Sequence, residues 1–425
     1  SRLTAKIEFC TSEPIPQHRE KTMKTRPRMF SIALLLAMSA TCPAADWPQF
    51  RGPGGGSLAP DVDLPVTWSD TQNIAWRTDL PGRGVSGPVV VRDRVFLTAT
   101  SGYRHDRLHV LCFNATDGKR QWERQFWATG RPTTHNSISG AAPTPACDGQ
   151  HVYAFFSSND LFCLDWDGNL VWYRGLSYDY PKAGADTGMA SSPLVLDGVV
   201  VVQLENQGES FAAGLDAATG ETRWRLERAD QASWTSPIAL PGAGRRKTAV
   251  LLQSPSCVTA HDVLTGAELW RFTEGAASIA SSVFSDGWLL VPMRGLTALR
   301  LSDESNAPEI AWDANRLRPG SSSPLVHNGR VYVLSNATVR CGDAQTGELL
   351  WAVRLKGTYW ATPVLAGGHL YCVNQDGDMQ VVKVGDKEGE VVAEHHFGEP
   401  MHASPAVAGN ALYVRSDKHL WKIAK

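Results

Sequence analysis

The 425 residues carry 41 Lys or Arg against 43 Asp or Glu, and the residues after position 45 hold 34 basic and 40 acidic side chains, a net of −6. With no basic run in that region, a role built on neutralising a nucleic-acid backbone is excluded. No low-complexity tract and no apolar stretch long enough to span a bilayer follows residue 45.

Residues 1–22 are polar and without periodicity, and read as translation upstream of a true start at Met23. From Met23 the chain carries Lys24, Arg26 and Arg28, then the apolar run Met29 to Ala40, then small residues, which is the pattern of a secretory signal peptide over 23–45. Cleavage is expected after Ala44 or Ala45. Ser39, Ala40 and Thr41 lack the pattern that precedes a lipidated cysteine, so lipidation of Cys42 is not expected. The product is expected to be exported, in the periplasm or associated with the cell envelope.

After the opening DWPQFRGP (Asp46 to Pro53), the segment Asn73 to Leu80 (NIAWRTDL) reads as a lone strand ending one repeat unit. Eight opening phrases follow, of the type SSPLVLDGVVVV, centred on Pro88, Pro145, Pro193, Pro237, Val283, Pro324, Pro363 and Pro405 and spaced 39 to 57 residues apart. Within the repeats a second phrase recurs: CFNATDGKRQW from Cys112, LDAATGETRW from Leu215, AHDVLTGAELW from Ala260 and CGDAQTGELLW from Cys341. Each is a strand, a turn closed by Thr-Gly or Asp-Gly, and a strand ending in tryptophan. That period is one four-stranded blade, so the chain is predicted to be all-β, an eight-bladed propeller of antiparallel blades formed as one domain by residues 46–425.

Trp122, Trp172, Trp224, Trp270, Trp312 and Trp351 end the first six blades, and Ala393 takes that place in the seventh. The eighth opening is followed by room for only three strands, so the strand at 73–80, with Trp76, is predicted to complete the last blade and tie the chain ends together. The tryptophans are read as wedges between blades, each ring burying on the order of 150 to 250 Å².

Six cysteines follow residue 45, three of them (Cys112, Cys163, Cys341) in the same slot of different blades, and are expected to be buried free thiols. DWDGN at Asp165 and NQDGD at Asn374 resemble calcium loops but fall where hairpin turns are required and lack the closing Glu. His395 and His396 alternate faces of one strand and cannot ligate one metal together. No GxSxG elbow is present. No metal site is expected.

The blade phrase, with Asp, Thr-Gly and Trp at fixed offsets, resembles the repeat of the pyrroloquinoline-quinone-like propellers over essentially all of 46–425. That family includes quinoprotein dehydrogenases and the propeller lipoprotein of the outer-membrane β-barrel assembly machine. The opening DWPQFRGP and the ending ALYVRSDKHLWKIAK are similar to exported propellers abundant in planctomycete-like bacteria. The resemblance implies the fold first. A quinoprotein alcohol dehydrogenase of the family would carry a vicinal Cys-Cys disulfide over its cofactor, and no Cys-Cys pair occurs here.

A ligand would enter the axial funnel, where the loops leading into the inner strands converge. The residues three before each opening position form the ring Val85, Ala142, Ala190, Trp234, Ala280, Ser321, Trp360 and His402, with His135, Asn136, Asp186, Arg316, Arg318 and Glu399 on adjoining loops. The two tryptophans either plug a narrow channel or line a site. The reading is accordingly of a monomeric, non-catalytic binding or scaffold protein that needs no cofactor and takes an envelope protein or small ligand at the funnel face. The alternative is a dehydrogenase using pyrroloquinoline quinone (PQQ) with calcium.

Overall fold

The structure, a computed structural model, describes residues 45–425 apart from residue 133 and segments 136–137, 185–186, 241–247 and 302–307. Residues 23–44 of the expected signal peptide, Cys42 among them, and the segment 1–22 lie outside the described residues.

The repeat phrases fold as an eight-bladed propeller. Eight separate antiparallel sheets follow one another along the chain, and the inner strand of the first, Val89–Val91, touches the inner strands of the second, Ala146–Cys147, and of the eighth, Ala406–Ala408, which closes the circle. Blade 3 shows the common order from axis to rim: Leu194–Leu196, Val199–Leu204, Ser210–Asp216 and Thr222–Arg228. Its second strand is buried at every position because a neighbouring blade covers each face.

The seam falls where the sequence placed it. Ile74–Asp79 pairs antiparallel with His419–Ala424, with Trp76 opposite Lys422 and Asp79 opposite His419. One addition is that Leu58–Ala59 pairs in parallel with Val364–Ala366, giving the seventh sheet a fifth strand on its axial side.

Six closing tryptophans lie across the turn of the next blade. The indole nitrogen of Trp224 donates to the Val263 carbonyl at 2.8 Å, and that of Trp172 to the Ala217 carbonyl at 2.9 Å. Trp76, Trp122, Trp312 and Trp351 make the equivalent bond to Ala115, Trp166, Ala344 and Gly385. The turn glycine has two duties. Gly266 sits at φ 72°, and a Cβ there would lie 2.7 Å from the Trp224 ring, so the position needs both the left-handed backbone and the missing side chain.

A β-bulge interrupts every outer strand, before the tryptophan at Gly214/Leu215 in blade 3 and between Ile74 and Trp76 at the seam, and before Ala393 in blade 7. The extra residue increases the local twist and turns the indole toward the neighbouring blade. Away from the seam the residue opposite the tryptophan is small: Cys112 faces Trp122, Cys163 faces Trp172, Cys341 faces Trp351, and Gly214 faces Trp224. This is the shared slot of the three cysteines. All six thiols among the described residues are free and buried, and burial pushes Cys112, Cys163 and Cys341 up to about 12.

Ala393 also has a physical reason. Blade 8 has no turn joining its last two strands, because the chain ends intervene, so a tryptophan on blade 7 would have no turn glycine to cover. The N-terminal segment supplies the buried Trp68 to the same apolar cluster, its ring stacked on His395 with centroids 3.9 Å apart.

Candidate funnel site

The site is built by the residues that begin the inner strands. Their small hydroxyl side chains face the axis, and each accepts a bond from the backbone N–H of the preceding blade. The relay runs from Gly87 to Thr144, Ser192, Ser236, Ser281, Ser323, Thr362 and Ser404, every N···O distance between 2.8 and 3.0 Å. It stops at Gly87, which has no hydroxyl to offer Ser404. The Ser-Pro and Thr-Pro pairs that open the repeats are the sequence signal of this ring, which the strand reading passed over.

Above the hydroxyl ring lies the tier chosen from sequence. Val85, Ala142, Ala190, Trp234, Ser321, Trp360 and His402 all line an axial cavity of about 390 Å³. Ala280 does not, and this placement is corrected: it is buried, and Ile279 lines the cavity instead. In blade 5 Ser282 takes the place that proline holds after the ring hydroxyl in the other blades, and Val283 is the first residue of the strand, one position further on. The Ser282 amide and hydroxyl both bond Gln253 Oε1, at 2.8 and 2.7 Å. Counting back from Val283 therefore lands one residue late.

Trp234 is pinned by a 2.8 Å bond from its indole nitrogen to the Gly188 carbonyl. Trp360 is 36 % exposed, and His402 meets it edge-on with ring centroids 5.8 Å apart. Burial lowers the His402 pKa, opposed by the charge of Asp417, which favours the neutral imidazole. His135, Ile138 and Thr187 complete the wall, the His135 amide bonding the Thr187 carbonyl at 3.1 Å.

Three loop residues named from sequence are elsewhere, and their assignment to the funnel is corrected. The Glu399 carboxylate is held by the Ser416 hydroxyl and by His419 Nδ1, at the joint between blades 7 and 8. Arg316 lies within the short 3-10 turn Asn315–Leu317 and Arg318 directly follows it, and both line a separate cleft. They lie on the outer part of the connection after the Trp312 strand, and only its later part, from Ser321, reaches the axis, a distinction that a repeat alignment does not reveal. Asn136 and Asp186 lie outside the described residues.

The other end of the channel is stopped by the DWPQFRGP opening. Trp47 exchanges backbone bonds with Val90, at 2.6 and 2.9 Å, and the Pro48 carbonyl accepts from Cys147 at 2.8 Å. Phe50 reaches into the cavity as its floor. The Arg51 guanidinium, 2 % exposed, donates to the Ser282 and Pro324 carbonyls at 2.8 and 2.7 Å. Burial without a carboxylate partner lowers its pKa to about 9. The segment then crosses to blade 7, where Leu365 donates to the Ser57 carbonyl. This clamp was not legible from composition or repeat spacing.

The cavity is therefore a cup closed at one end, aromatic at its mouth and hydroxylated at its waist. Its described lining contains no Lys, Arg, Asp or Glu. Among the described residues no group of three or more His, Cys, Asp or Glu is placed to hold a metal ion. The Asp165 and Asn374 loops are turn chemistry: Asp165 Oδ1 accepts the amides of Asp167 and Asn169, and Asn374 Oδ1 those of Asp376 and Asp378.

Comparison with known proteins agrees with this architecture. The sequence model of a family described as outer membrane protein assembly factor BamB matches residues 59–182, 182–283, 254–391 and 335–425. The chain is 24 % identical over 367 residues to the outer membrane protein assembly factor BamB of Burkholderia pseudomallei, covering 78 % of this chain and 82 % of the relative. It is 22 % identical to the Yersinia pestis protein of the same name, covering 72 % and 67 %. A Pseudomonas polyvinylalcohol dehydrogenase is 23 % identical, with 72 % of this chain matched to 51 % of that protein. Among solved structures, BamB from Moraxella catarrhalis superimposes with a TM-score of 0.61 at 17 % identity, covering 83 % of this chain and 97 % of that one. A quinohemoprotein alcohol dehydrogenase from Comamonas testosteroni gives 0.66 at 14 % identity, covering 89 % and 81 %. At these identities the structural likeness establishes the fold.

Proposed function

Since the chain belongs to the family described as outer membrane protein assembly factor BamB, we propose that it is an exported, non-catalytic propeller that binds another protein of the cell envelope through its funnel-bearing face. The observation that carries this reading is the chemistry of the cup. PQQ is a tricarboxylic acid that the dehydrogenases use with calcium, and a pocket for the pair needs cationic groups for the carboxylates and anionic oxygens for the metal. The described lining supplies neither, only hydroxyls, two histidines and apolar side chains. The residues present do not fit the cofactor, and no redox step is derived through it.

What remains suits recognition. Trp360 and Ile279, 36 % and 50 % exposed, stand at the mouth of a preformed concavity, and partly exposed aromatic and aliphatic side chains around a pocket are the usual anchors of a protein interface. In the same reading, residues 23–45 direct the chain out of the cytoplasm, and the propeller acts as a monomer.

The test is a titration of the purified protein with PQQ and calcium, followed by tryptophan fluorescence and by dye-linked dehydrogenase activity. No saturable quenching at micromolar cofactor and no activity are expected. Micromolar or tighter binding accompanied by turnover would overturn the reading.

A further inference from the structure

Several arginines of the blades are matched by a carboxylate: Arg174 with Asp179, Arg223 with Asp216, Arg271 with Glu268, Arg330 with Asp343. The cleft between blades 5 and 6 departs from this. It encloses about 480 Å³, is walled by Arg316, Arg318 and Arg340, and has no acidic side chain in its described lining. Arg354 stands at its edge, donating to the Asn336 carbonyl at 2.7 Å. Among the described residues none of the four makes an ion pair. Asp313, the acidic residue preceding the 3-10 turn, is engaged by the Thr297 hydroxyl on its own sheet.

Four guanidinium groups with no acidic partner are the more notable because the chain after residue 45 is net acidic. Like charges gathered on one cleft repel one another unless an anion comes between them. The cleft opens on the same face as the funnel, because the Asn315–Leu317 turn leads from an outer strand to the next inner strand, as every funnel loop does. Its remaining walls are the amides of Asn315 and Asn336, the hydroxyls of Ser335 and Thr338, and Leu349 and Ala352 on the outermost strand of blade 6. That strand, Leu349–Arg354, pairs on one side only. Cationic walls beside a strand with an open edge suit an extended chain whose carboxylates meet the guanidinium forks while its backbone meets the amides or the strand edge.

We propose that the cleft between blades 5 and 6 docks an acidic, extended segment of a partner protein, with Arg316, Arg318, Arg340 and Arg354 pairing its carboxylates. The proposal rests on the reading of this face as a binding face and supplies the partner's chemistry.

The test uses fluorescein-labelled ten-residue peptides, one alternating Glu with Ser, one alternating Lys with Ser and one of Ser and Gly, titrated against the full chain by anisotropy. Only the Glu peptide is expected to bind. In R316E/R318E that binding should weaken at least about tenfold, and in R77E/R104E, which changes net charge equally at exposed arginines elsewhere, it should change less than about twofold. Anionic phosphatidylglycerol vesicles serve as the rival arm. Equal weakening in both variants, no binding of the Glu peptide at millimolar concentration, or vesicle binding lost in R316E/R318E while the peptide is ignored would each overturn the proposal. The peptide result is separate from the cofactor titration, so either reading can fail alone.

Discussion

At the scale of single residues, the turn glycines separate two costs that usually come together. Gly266 and Gly198 have nearly the same backbone angle, φ 72° and 73°, but a Cβ at Gly266 would meet the Trp224 ring at 2.7 Å while one at Gly198 would meet nothing within 4 Å. Gly198→Ala therefore carries only the left-handed strain, about 1 kcal/mol. Gly266→Ala adds displacement of a buried indole that also donates a hydrogen bond, and should lose about 2 to 4 kcal/mol. Urea midpoints of the two variants compare the terms directly, and equal losses would show that the tryptophan does not brace the turn. The Thr-Gly signal was visible in the sequence as turn chemistry. The contact that makes the glycine doubly necessary crosses to another blade, so no local pattern announces it.

At the scale of elements, the segment from Trp47 to Ala59 behaves as a bolt across the end of the propeller opposite the funnel mouth. It bonds successively to blades 1, 2, 5, 6 and 7, and Arg51 is its only charged anchor, bonded to two carbonyls but to no carboxylate. The guanidinium gives up hydration on burial, so its contribution comes from specific direction more than from net stability. Arg51→Ala should leave the blades folded but release the bolt, raising hydrogen exchange at the amides of Val90, Cys147 and Leu365, which bond to it, by at least about tenfold, while the Val200 and Val250 amides stay protected. Unchanged exchange at the first three positions would mean that Arg51 does not hold the segment. The closing strand of blade 8 was legible because Trp76 copies the blade phrase. The bolt was not, because DWPQFRGP has no counterpart in the repeats and its partners are backbone atoms far along the chain.

At the scale of the whole molecule, the repeat phrase determined blade number, strand order and seam, because the same side chains perform the same task eight times. The funnel was legible only in part. Trp234, Trp360 and His402 fell where the repeat offset predicted, whereas Glu399, Arg316 and Arg318, taken from adjoining loops, lie away from the cavity, since the repeat carries no record of which part of a connection reaches the axis. The cup has a mouth suited to recognition, and its described walls lack the charges a quinone and its metal would need. The central claim is that the funnel-bearing face meets a partner in the envelope. Its most direct measurement is site-specific photocrosslinking in the native envelope, with a benzophenone side chain at Ile279 on the cavity rim or at Leu170 beside a turn on the opposite face, positions that are each 50 % exposed. A discrete protein adduct from position 279 and none from position 170 is the expected result; adducts from both positions, or from neither, would contradict the account.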